Sequence, residues 1–438
     1  MTAISEKNMS ADLPHYSKLW ASNKMSAFIP KYEKTAAQIF LFGVLALELQ
    51  FLNGAVNFGN LVMCAASICA IICMLYGGRV ERWNFPRFLA VDYVYFVYVA
   101  WCILSMAWSA SPTNTAVQSV YLALLWVGCV YISRVPIDYI VRIVIWSAFV
   151  LALVSFAMIV VAPGLAFQPF SSTGFPELRG VFKHQLRLGA YMSVALVFMG
   201  IAFLNGNLRE VVSKRNYVCV IVGLVLAACA AAALARSYSA YALLAAALGY
   251  FLSKRGALGW ASVIALIILT VAIVWNSEAL FQWFGDETGD PTLTGRTRIW
   301  EVTLQAYNEG SHLLGKGYGS FDLPAFDHMW NRYRPPHPHN SFINALFETG
   351  MIGAFLTSAF LLAQLLSGIR SGRLLGRNSY AVCLVLMSFL ASLTGVNYAG
   401  KPVVLFALTM LIVRSEALTA SKVASTLRRS RRSRPLPT

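Results

Sequence analysis

The stretch YIVRIVIWSAFVLALVSFAMIVVA, residues 139–162, holds a single charged residue, Arg142. As an α-helix it would be about 36 Å long, enough to cross the ~30 Å hydrocarbon core of a bilayer. It is apolar around its whole circumference, which is typical of a helix in lipid. Similar stretches recur, so the chain is 58% apolar and 12% charged, against about 45–50% and about 25% in soluble domains. The composition predicts an all-α polytopic membrane protein and excludes soluble and disordered chains.

Twelve stretches are long and apolar enough to be transmembrane helices. Their cores are 36–53, 57–77, 88–108, 115–133, 139–162, 188–205, 216–235, 238–252, 258–275, 341–366, 379–396 and 402–417. These spans divide the chain into an N-terminal tail (1–35), helices 1–9 (36–275), a large loop (276–340), helices 10–12 (341–417) and a basic tail (418–438). We expect the basic tail to lie beside anionic lipid headgroups without regular structure.

The basic residues predict the orientation of these helices. With the N-terminus inside, 25 of the 35 Lys and Arg residues fall on the inner side, as the positive-inside rule expects. Both termini are therefore predicted to be cytoplasmic. The same rule accounts for the net charge of +16, so we expect no nucleic-acid partner. The other ten basic residues are external: Arg179, Lys183, Arg187, Arg236, Arg296, Arg298, Lys316, Arg332, Arg334 and Lys401.

Cysteines and acids give fewer signals. All eight cysteines lie in apolar runs and none forms a CxxC pair, so we expect neither disulfides nor a metal site, and no cofactor. Among the acids in or near the spans, Glu48, Asp92 and Glu348 are functional candidates because acids are rare there. The sequence assigns none of the three a role.

The external loop 276–340 is too long to be a passive connection. Part of it reads as a helix that is capped at Thr294 and ends at Gly310, with Arg296 and Trp300 on one face. The following GKGYGSF, Gly315 to Phe321, lacks the GK[ST] ending of a phosphate-binding loop. We interpret it as a structural turn.

The loop ends in HPHN, His337 to Asn340, at the start of the tenth predicted helix. A histidine at a helix N-terminus is held neutral by the helix dipole, as a general base must be. The alternative is that His337 and His339 simply lie at the membrane–water boundary. Glu348 is nine residues after His339 and so falls on the opposite side of the helix, which argues against a direct pair.

Arginines of the external side suit a diphosphate, because the guanidinium fork binds oxygens bidentately and stays charged. Arg236 lies between two apolar runs, where it either faces a polar cavity or reaches the interface as a structural residue. Arg179 and Lys183 form a second basic cluster.

Five motifs together resemble the bacterial O-antigen ligase and O-antigen or exopolysaccharide polymerase superfamily. They span roughly residues 175–365: RGVFKH (Arg179–His184), ARSYSA (Ala235–Ala240), TLTGRTRIW (Thr292–Trp300), GKGYGSF, and HPHNSFINALFETGMIG (His337–Gly353). The resemblance implies an inverting, metal-independent glycosyltransferase of the bacterial inner membrane with a periplasmic active site. It implies a glycan on undecaprenyl diphosphate as the donor.

The resemblance also implies roles for particular residues. His339 would deprotonate the acceptor hydroxyl, while Arg236 and Arg296 would hold the diphosphate and stabilise it as a leaving group. Arg298 and His337 are near-duplicates of Arg296 and His339, and either could be the true counterpart.

A less distinctive family stretch covers Arg179 and Lys183, and Asn340 follows the catalytic histidine. We include these three residues among the substrate-binding candidates.

The acceptor separates two activities within the superfamily. A polymerase adds a growing chain to another lipid-linked repeat unit, whereas a ligase transfers it to lipid A–core. The PTLTGRTRIW stretch is most similar to the exopolysaccharide polymerase branch, with O-antigen ligase as the alternative. Expected partners are the lipid-linked donor, a glycan or lipid A–core acceptor, membrane lipid, a flippase and a chain-length regulator. A lipid-linked oligosaccharide transporter is the competing hypothesis, although the sequence shows no repeated halves.

Overall fold

A computed structural model of the protein describes residues 30–49, 58–77, 87–168, 177–212, 222–223, 296–321, 323–330, 335, 337–395 and 403–432. These residues are mostly helical. The long helices are α1 Lys31–Ala46, α2 Phe58–Gly77, α3 Ala90–Leu104, α4 Pro112–Ile132, α5 Ile137–Val161, α6 Gln185–Leu204, α7 Arg296–Asn308, α8 Ser341–Leu375, α9 Tyr380–Thr394 and α10 Val404–Arg432. Short helical segments are Ser105–Ala107, Pro163–Ala166, Leu208–Val212 and Pro324–Met329. Two strands, β1 Phe167–Gln168 and β2 Glu177–Leu178, pair antiparallel.

Seven of the described helices are long and apolar enough to cross a membrane, namely α2, α3 with its 3₁₀ extension, α4, α5, α6, α8 and α10. Helix α9 is apolar but shorter. The prediction of a multi-pass, helical membrane protein is therefore confirmed. The predicted spans 216–235, 238–252 and 258–275 lie outside the described residues, so the count of twelve stays a prediction.

Large apolar side chains point away from the helical core. Phe42 is 60% exposed, Phe355 70% and Val160 84%. Many exposed side chains of this kind would be costly in water, whereas in a bilayer the acyl chains cover them. The exposed faces of these helices are therefore the lipid-facing surface.

The basic tail differs from its prediction. Helix α10 continues beyond its membrane-spanning part to Arg432. The expectation of an irregular tail is therefore wrong for residues 418–432. The physical reason is composition: Ala417 to Arg432 holds no glycine and no proline, and the first helix-breaking residue is Pro435.

Contacts between helix ends define two poles of the bundle. At one pole, which we call the site end, Leu49 after α1 pairs with Phe182 before α6, and Ser341 at the start of α8 donates to Gly395 O after α9. At the opposite end, Asn205 after α6 donates to Asn378 O before α9 over 3.1 Å.

A buried ion pair fixes the opposite end. Arg414 of α10 bonds to Asp92 in the first turn of α3 and, over 3.1 Å, to the Ser133 hydroxyl after α4. Both charged side chains are at most 3% exposed, and breaking such a pair costs several kcal/mol because one charge is left buried alone. Asp92 therefore has a structural role, at the pole remote from the external loops.

Helix α8 is broken at Gly350, whose φ of 68° and ψ of −169° are not helical. The 311–321 loop supplies the backbone partners at the break. Lys316 N donates to Phe347 O and Gly317 N to Glu348 O, both over 2.8 Å, and Met351 N donates to His312 O over 2.9 Å. The 311–321 loop is therefore docked into the helix break.

The same loop also contacts the ends of α3 and α4. Tyr318 is buried; its N–H donates to Ser105 Oγ over 3.0 Å, and its carbonyl accepts from Thr115 Oγ1 over 2.7 Å. Gly317 has φ of +102°, and a Cβ there would lie 2.4 Å from Ser109 Cβ. The structural turn predicted for GKGYGSF is confirmed.

Glu348 belongs to this structural turn. One of its carboxylate oxygens accepts from Phe321 N over 3.3 Å and the other from Asn344 Nδ2 over 3.1 Å. The carboxylate is buried and ties the loop to α8, so Glu348 has a structural role.

Candidate functional site

Helix α7 carries Arg296 to the start of α8. Trp300, one turn after Arg296, donates from its indole N–H to Pro338 O over 2.8 Å. Because residues four apart share a face of a helix, this bond brings Arg296 to the same side as the HPHN motif. The helix and the shared face predicted for these two residues are confirmed, whereas the predicted cap, Thr294, lies outside the described residues.

His339 adopts a left-handed backbone conformation, with φ of 54°, unlike any other non-glycine residue in the described part of the chain. Such a conformation costs about 1–3 kcal/mol and persists only when its surroundings impose it. The next residue, Asn340, is the N-cap of α8 and accepts from Phe342 N and Ile343 N, so His339 forms the turn into the helix. The strained residue is the one that the sequence predicts to be the base.

His337 packs against His339, with ring centroids 4.2 Å apart. Its Nδ1 accepts from the backbone N–H of His339 over 3.2 Å. This bond engages His337 in holding the backbone of its neighbour. The two histidines therefore have different environments, although their motifs are similar.

The imidazole of His339 is held neutral. Burial, followed by the positive charges of Arg296 and Arg187, lowers its pKa from 6.5 to about 4. The direction agrees with the sequence prediction, but burial is the first cause, ahead of any effect of the helix terminus. A neutral imidazole at pH 7 can accept a proton.

The start of α6 lies on the same side. His184 caps α6, and its Nδ1 accepts from Leu186 N over 3.2 Å. Arg187, one turn further, forms an ion pair with the buried Glu48 after α1, over 3.4 Å. Glu48 O also accepts from Lys183 N over 2.8 Å. These contacts fix the ends of α1 and α6 together.

The two histidines and the surrounding cations form one electrostatic unit. Burial lowers the pKa of His184 to about 4, and the charges of Arg187, Arg179 and Arg296 contribute in that order. Burial also lowers the pKa of Lys183. We call this set the cationic cluster: Arg179, Lys183, His184, Arg187, Arg296 and His339.

The two predicted arginines of α7, Arg296 and Arg298, differ in burial. Arg296 is half-buried, and burial lowers its pKa. The side chain of Arg298 is 71% exposed and lies 3.5 Å from Glu301 one turn along α7. Arg236 lies outside the described residues, so its position relative to His339 stays a prediction.

The remaining candidates lie around the cluster. Arg179 donates from Nε to Leu165 O over 3.1 Å. Lys183 is half-buried. Asn340 uses its side-chain oxygen as the helix cap and donates from Nδ2 to Leu393 O over 3.3 Å. Asn340 therefore positions the start of α8.

Sequence reasoning did not group His184, Arg187 and Glu48 with His339. The signal was present, because Glu48 lies near the outer end of the first predicted span and Arg187 near the outer start of the sixth. An acid and an arginine at the same predicted depth suggest a pair. Which spans are neighbours, however, is decided by packing.

The cationic cluster is suited to a phosphate ligand. Guanidinium forks and imidazole N–H groups donate to phosphate oxygens, and a neutral imidazole beside them can take a proton from a hydroxyl. A half-buried position strengthens each electrostatic interaction relative to bulk water. The arrangement can bind an anionic leaving group and activate a nucleophile at the same place.

Comparisons with known proteins bear on this site. The sequence profile of a family described as O-antigen ligase matches residues 216–358, a stretch that includes Arg236, Arg296 and His339. The chain is 25% identical over 349 residues to the exopolysaccharide production protein ExoQ of Rhizobium meliloti (strain 1021). That alignment covers 74% of this chain and 75% of ExoQ. These matches support the O-antigen ligase and polysaccharide polymerase superfamily for this chain, and indicate a membrane enzyme of the polymerase or ligase type.

Proposed function

We propose that the protein is an inverting, metal-independent glycosyltransferase that polymerises repeat units carried on undecaprenyl diphosphate, at the periplasmic face of the bacterial inner membrane. The observation that carries the proposal is the meeting of Arg296 with a neutral, strained His339, through the Trp300–Pro338 hydrogen bond. Similarity to a protein named for exopolysaccharide production favours the polymerase over the O-antigen ligase.

In the proposed reaction, His339 accepts the proton of the acceptor hydroxyl. The hydroxyl oxygen attacks the anomeric carbon from the face opposite the diphosphate, so the configuration inverts. The bond from that carbon to the diphosphate oxygen breaks, and the diphosphate leaves with the electron pair. Arg296 neutralises the charge that develops on it, together with Arg236 as the resemblance implies. Placing cations where charge develops is an effective use of a water-poor site.

The alternation of helix ends supports the proposed topology. Helices α1, α3, α5 and α9 end at the site end, whereas α4 and α6 begin there. Helix α6 ends at the opposite pole, and α7 begins at the site end. Three predicted spans between them, an odd number, agree with this change of side. With a cytoplasmic N-terminus, the site end faces the periplasm, and a chain of twelve spans has both termini in the cytoplasm.

Reconstitution tests the reaction. The protein in proteoliposomes is given an undecaprenyl-diphosphate-linked repeat unit and no lipid A. A ladder of lengthened lipid-linked chains supports the polymerase, and product only after adding lipid A–core supports the ligase. Transport of the substrate with no new glycosidic bond would favour the transporter hypothesis.

A histidine variant identifies the base. His339→Ala is expected to abolish the ladder while the protein still inserts and melts normally. The matched control is His328→Ala, because His328 is an exposed histidine of the segment Pro324–Met329. Equal ladders from His339→Ala and the control would remove His339 from the mechanism.

A further inference from the structure

The ion pair between Glu48 and Arg187 has no part in the reaction described above. Glu48 is buried, with its side chain 8% exposed, and Arg187 is 27% exposed. A small cavity of about 20 Å³ lies beside the pair and is lined by both residues, Phe182, Tyr191, Val194 and Leu405. The Arg187 side chain therefore contacts Glu48 and is partly accessible to solvent.

His184 presents a hydrogen-bond donor beside this arginine. Its Nδ1 accepts from Leu186 N over 3.2 Å, so in the neutral ring the proton is on Nε2. The Nε2–H group can donate without any change of protonation. Arg187 lies in the first turn of α6, which His184 caps, and its charge is among the causes that lower the pKa of His184, so the two groups are close to each other.

We propose that Arg187 and the Nε2–H of His184 bind the diphosphate of the donor from α6, while Arg296 binds it from α7, and that Glu48 is a positioning residue that orients Arg187. This inference rests on the proposed function and extends its diphosphate site to a second helix.

Charge balance supports the inference. With both histidines neutral, the cationic cluster has four positive side chains, Arg179, Lys183, Arg187 and Arg296, and Glu48 reduces the formal sum to +3. A sugar–diphosphate–lipid carries two negative charges and gains a third when the sugar leaves. The net positive charge of the cationic cluster therefore favours the product diphosphate, which carries more negative charge than the donor.

A positioning role for Glu48 and simple electrostatics predict opposite changes in anion affinity when the Glu48 carboxylate is neutralised. A carboxylate that is merely close to an anion site repels the anion, so its neutralisation should strengthen binding. A carboxylate that orients Arg187 should instead weaken binding when it is neutralised. Because bidentate binding depends on the orientation of the guanidinium plane, we expect the second effect to be larger.

Binding of undecaprenyl diphosphate to the full-length protein in nanodiscs tests the assignment, with inorganic pyrophosphate as a second probe. Arg187→Gln is expected to weaken binding of both probes about 10- to 100-fold, the range for one charge-assisted hydrogen-bonded contact. The matched control is Arg370→Gln, an exposed arginine of α8. Binding as tight as wild type in Arg187→Gln would overturn the proposal, and weakening of undecaprenyl diphosphate alone would overturn the diphosphate contact.

Two further variants separate positioning from folding. Glu48→Gln is expected to weaken binding about 3- to 10-fold in the wild-type background, and to have no such effect when combined with Arg187→Gln. Stronger binding in Glu48→Gln would refute the positioning role. If Arg187→Gln is not recovered as a folded protein, Arg187→Lys replaces it; it keeps the charge and loses the fork, so binding unchanged from wild type would be contrary evidence.

Failure of this inference is distinguishable from failure of the proposed function. If the wild-type protein extends lipid-linked chains and Arg187→Gln binds the diphosphate normally, the enzyme assignment stands and the α6 contact is removed. If the wild type forms no glycosidic bond with any lipid-linked donor, the proposed function fails whatever the binding data show.

Discussion

Replacing Gly350 with alanine should separate the 311–321 loop from α8. At this position φ is 68° and ψ is −169°, a region that only glycine occupies readily. A Cβ would lie 2.2 Å from Leu313 O and 2.7 Å from Gly315 N. Both are backbone atoms and neither can rotate away, so either the loop or the helix must move.

The magnitude follows from two contributions. The backbone conformation costs a non-glycine residue about 1–3 kcal/mol, and the steric overlap costs about 1–3 kcal/mol more. Their sum, about 2–6 kcal/mol, is comparable with the total stability of many proteins, about 5–15 kcal/mol. Relief of the overlap by undocking would sacrifice the hydrogen bonds from Lys316 N, Gly317 N and Met351 N.

The assay compares thermal unfolding midpoints and chain extension of the purified protein in detergent and in proteoliposomes. Two control glycines isolate the contributions. Gly206 has φ of +72° with no atom within 4 Å of its Cβ position, and Gly164 has neither a positive φ nor a close neighbour. We expect Gly164→Ala to behave as wild type, Gly206→Ala to melt slightly lower, and Gly350→Ala to melt lowest and lose activity. If Gly350→Ala and Gly206→Ala have the same unfolding midpoint, docking of the 311–321 loop does not depend on its close contact with Gly350.

Three further predictions concern the site itself. Trp300→Phe removes the indole N–H that donates to Pro338 O, a hydrogen bond worth about 0.5–1.5 kcal/mol, so the rate of chain extension should fall several-fold. The control Trp146→Phe, at the opposite end, should keep the wild-type rate. An unchanged rate in Trp300→Phe would contradict the anchoring role of this bond. Arg296→Gln should reduce the transfer rate at least tenfold more than Arg298→Gln. The effect of Arg298→Gln should be small because its exposed pair with Glu301 contributes about 0–1 kcal/mol. Equal losses of rate in the two variants would contradict this order. The kcat/KM for the donor, which reports the free enzyme, should stay level from pH 8 to about 5 and fall towards pH 4, because the pKa of His339 is about 4. A kcat/KM that halves near pH 6.5 would show an ordinary histidine. The native imidazole is neutral between pH 4 and 6.5 while the unfolded chain takes up a proton, so stability is also lost as the pH falls through that window.

The sequence predicted those elements that depend on local patterns. Apolar runs marked the spans, and the helix beginning at Arg296 and the turn at GKGYGSF followed from periodicity and glycine spacing. The break at Gly350 was missed, because the apolar run continues through it without a proline. Its cause is not local: the partners of the broken helix come from residues 311–321. The prediction of an irregular tail was wrong because the helix propensity of residues 417–432 outweighs the repulsion among their positive charges.

Only part of the site could be predicted, because some of its residues are brought together by packing between distant segments. His339 and Arg296 were predicted through a resemblance in their motifs, whereas the contribution of α6 depends on which helix ends meet. Glu48 illustrates the difference. The sequence shows that Glu48 is a rare acid within a predicted span. Its role follows only from the backbone pairing of Leu49 with Phe182, which places Arg187 within reach of the carboxylate.

The positive charge around His339 controls when this residue can accept a proton. A histidine among Arg187 and Arg296 is prevented from taking a proton in the resting state. When a diphosphate binds, its negative charges offset the arginines that lower the imidazole pKa, so the affinity of His339 for a proton rises only after the donor is present. The base would thus strengthen when the substrate arrives, and the same arginines that hold the leaving group would control when the proton can move.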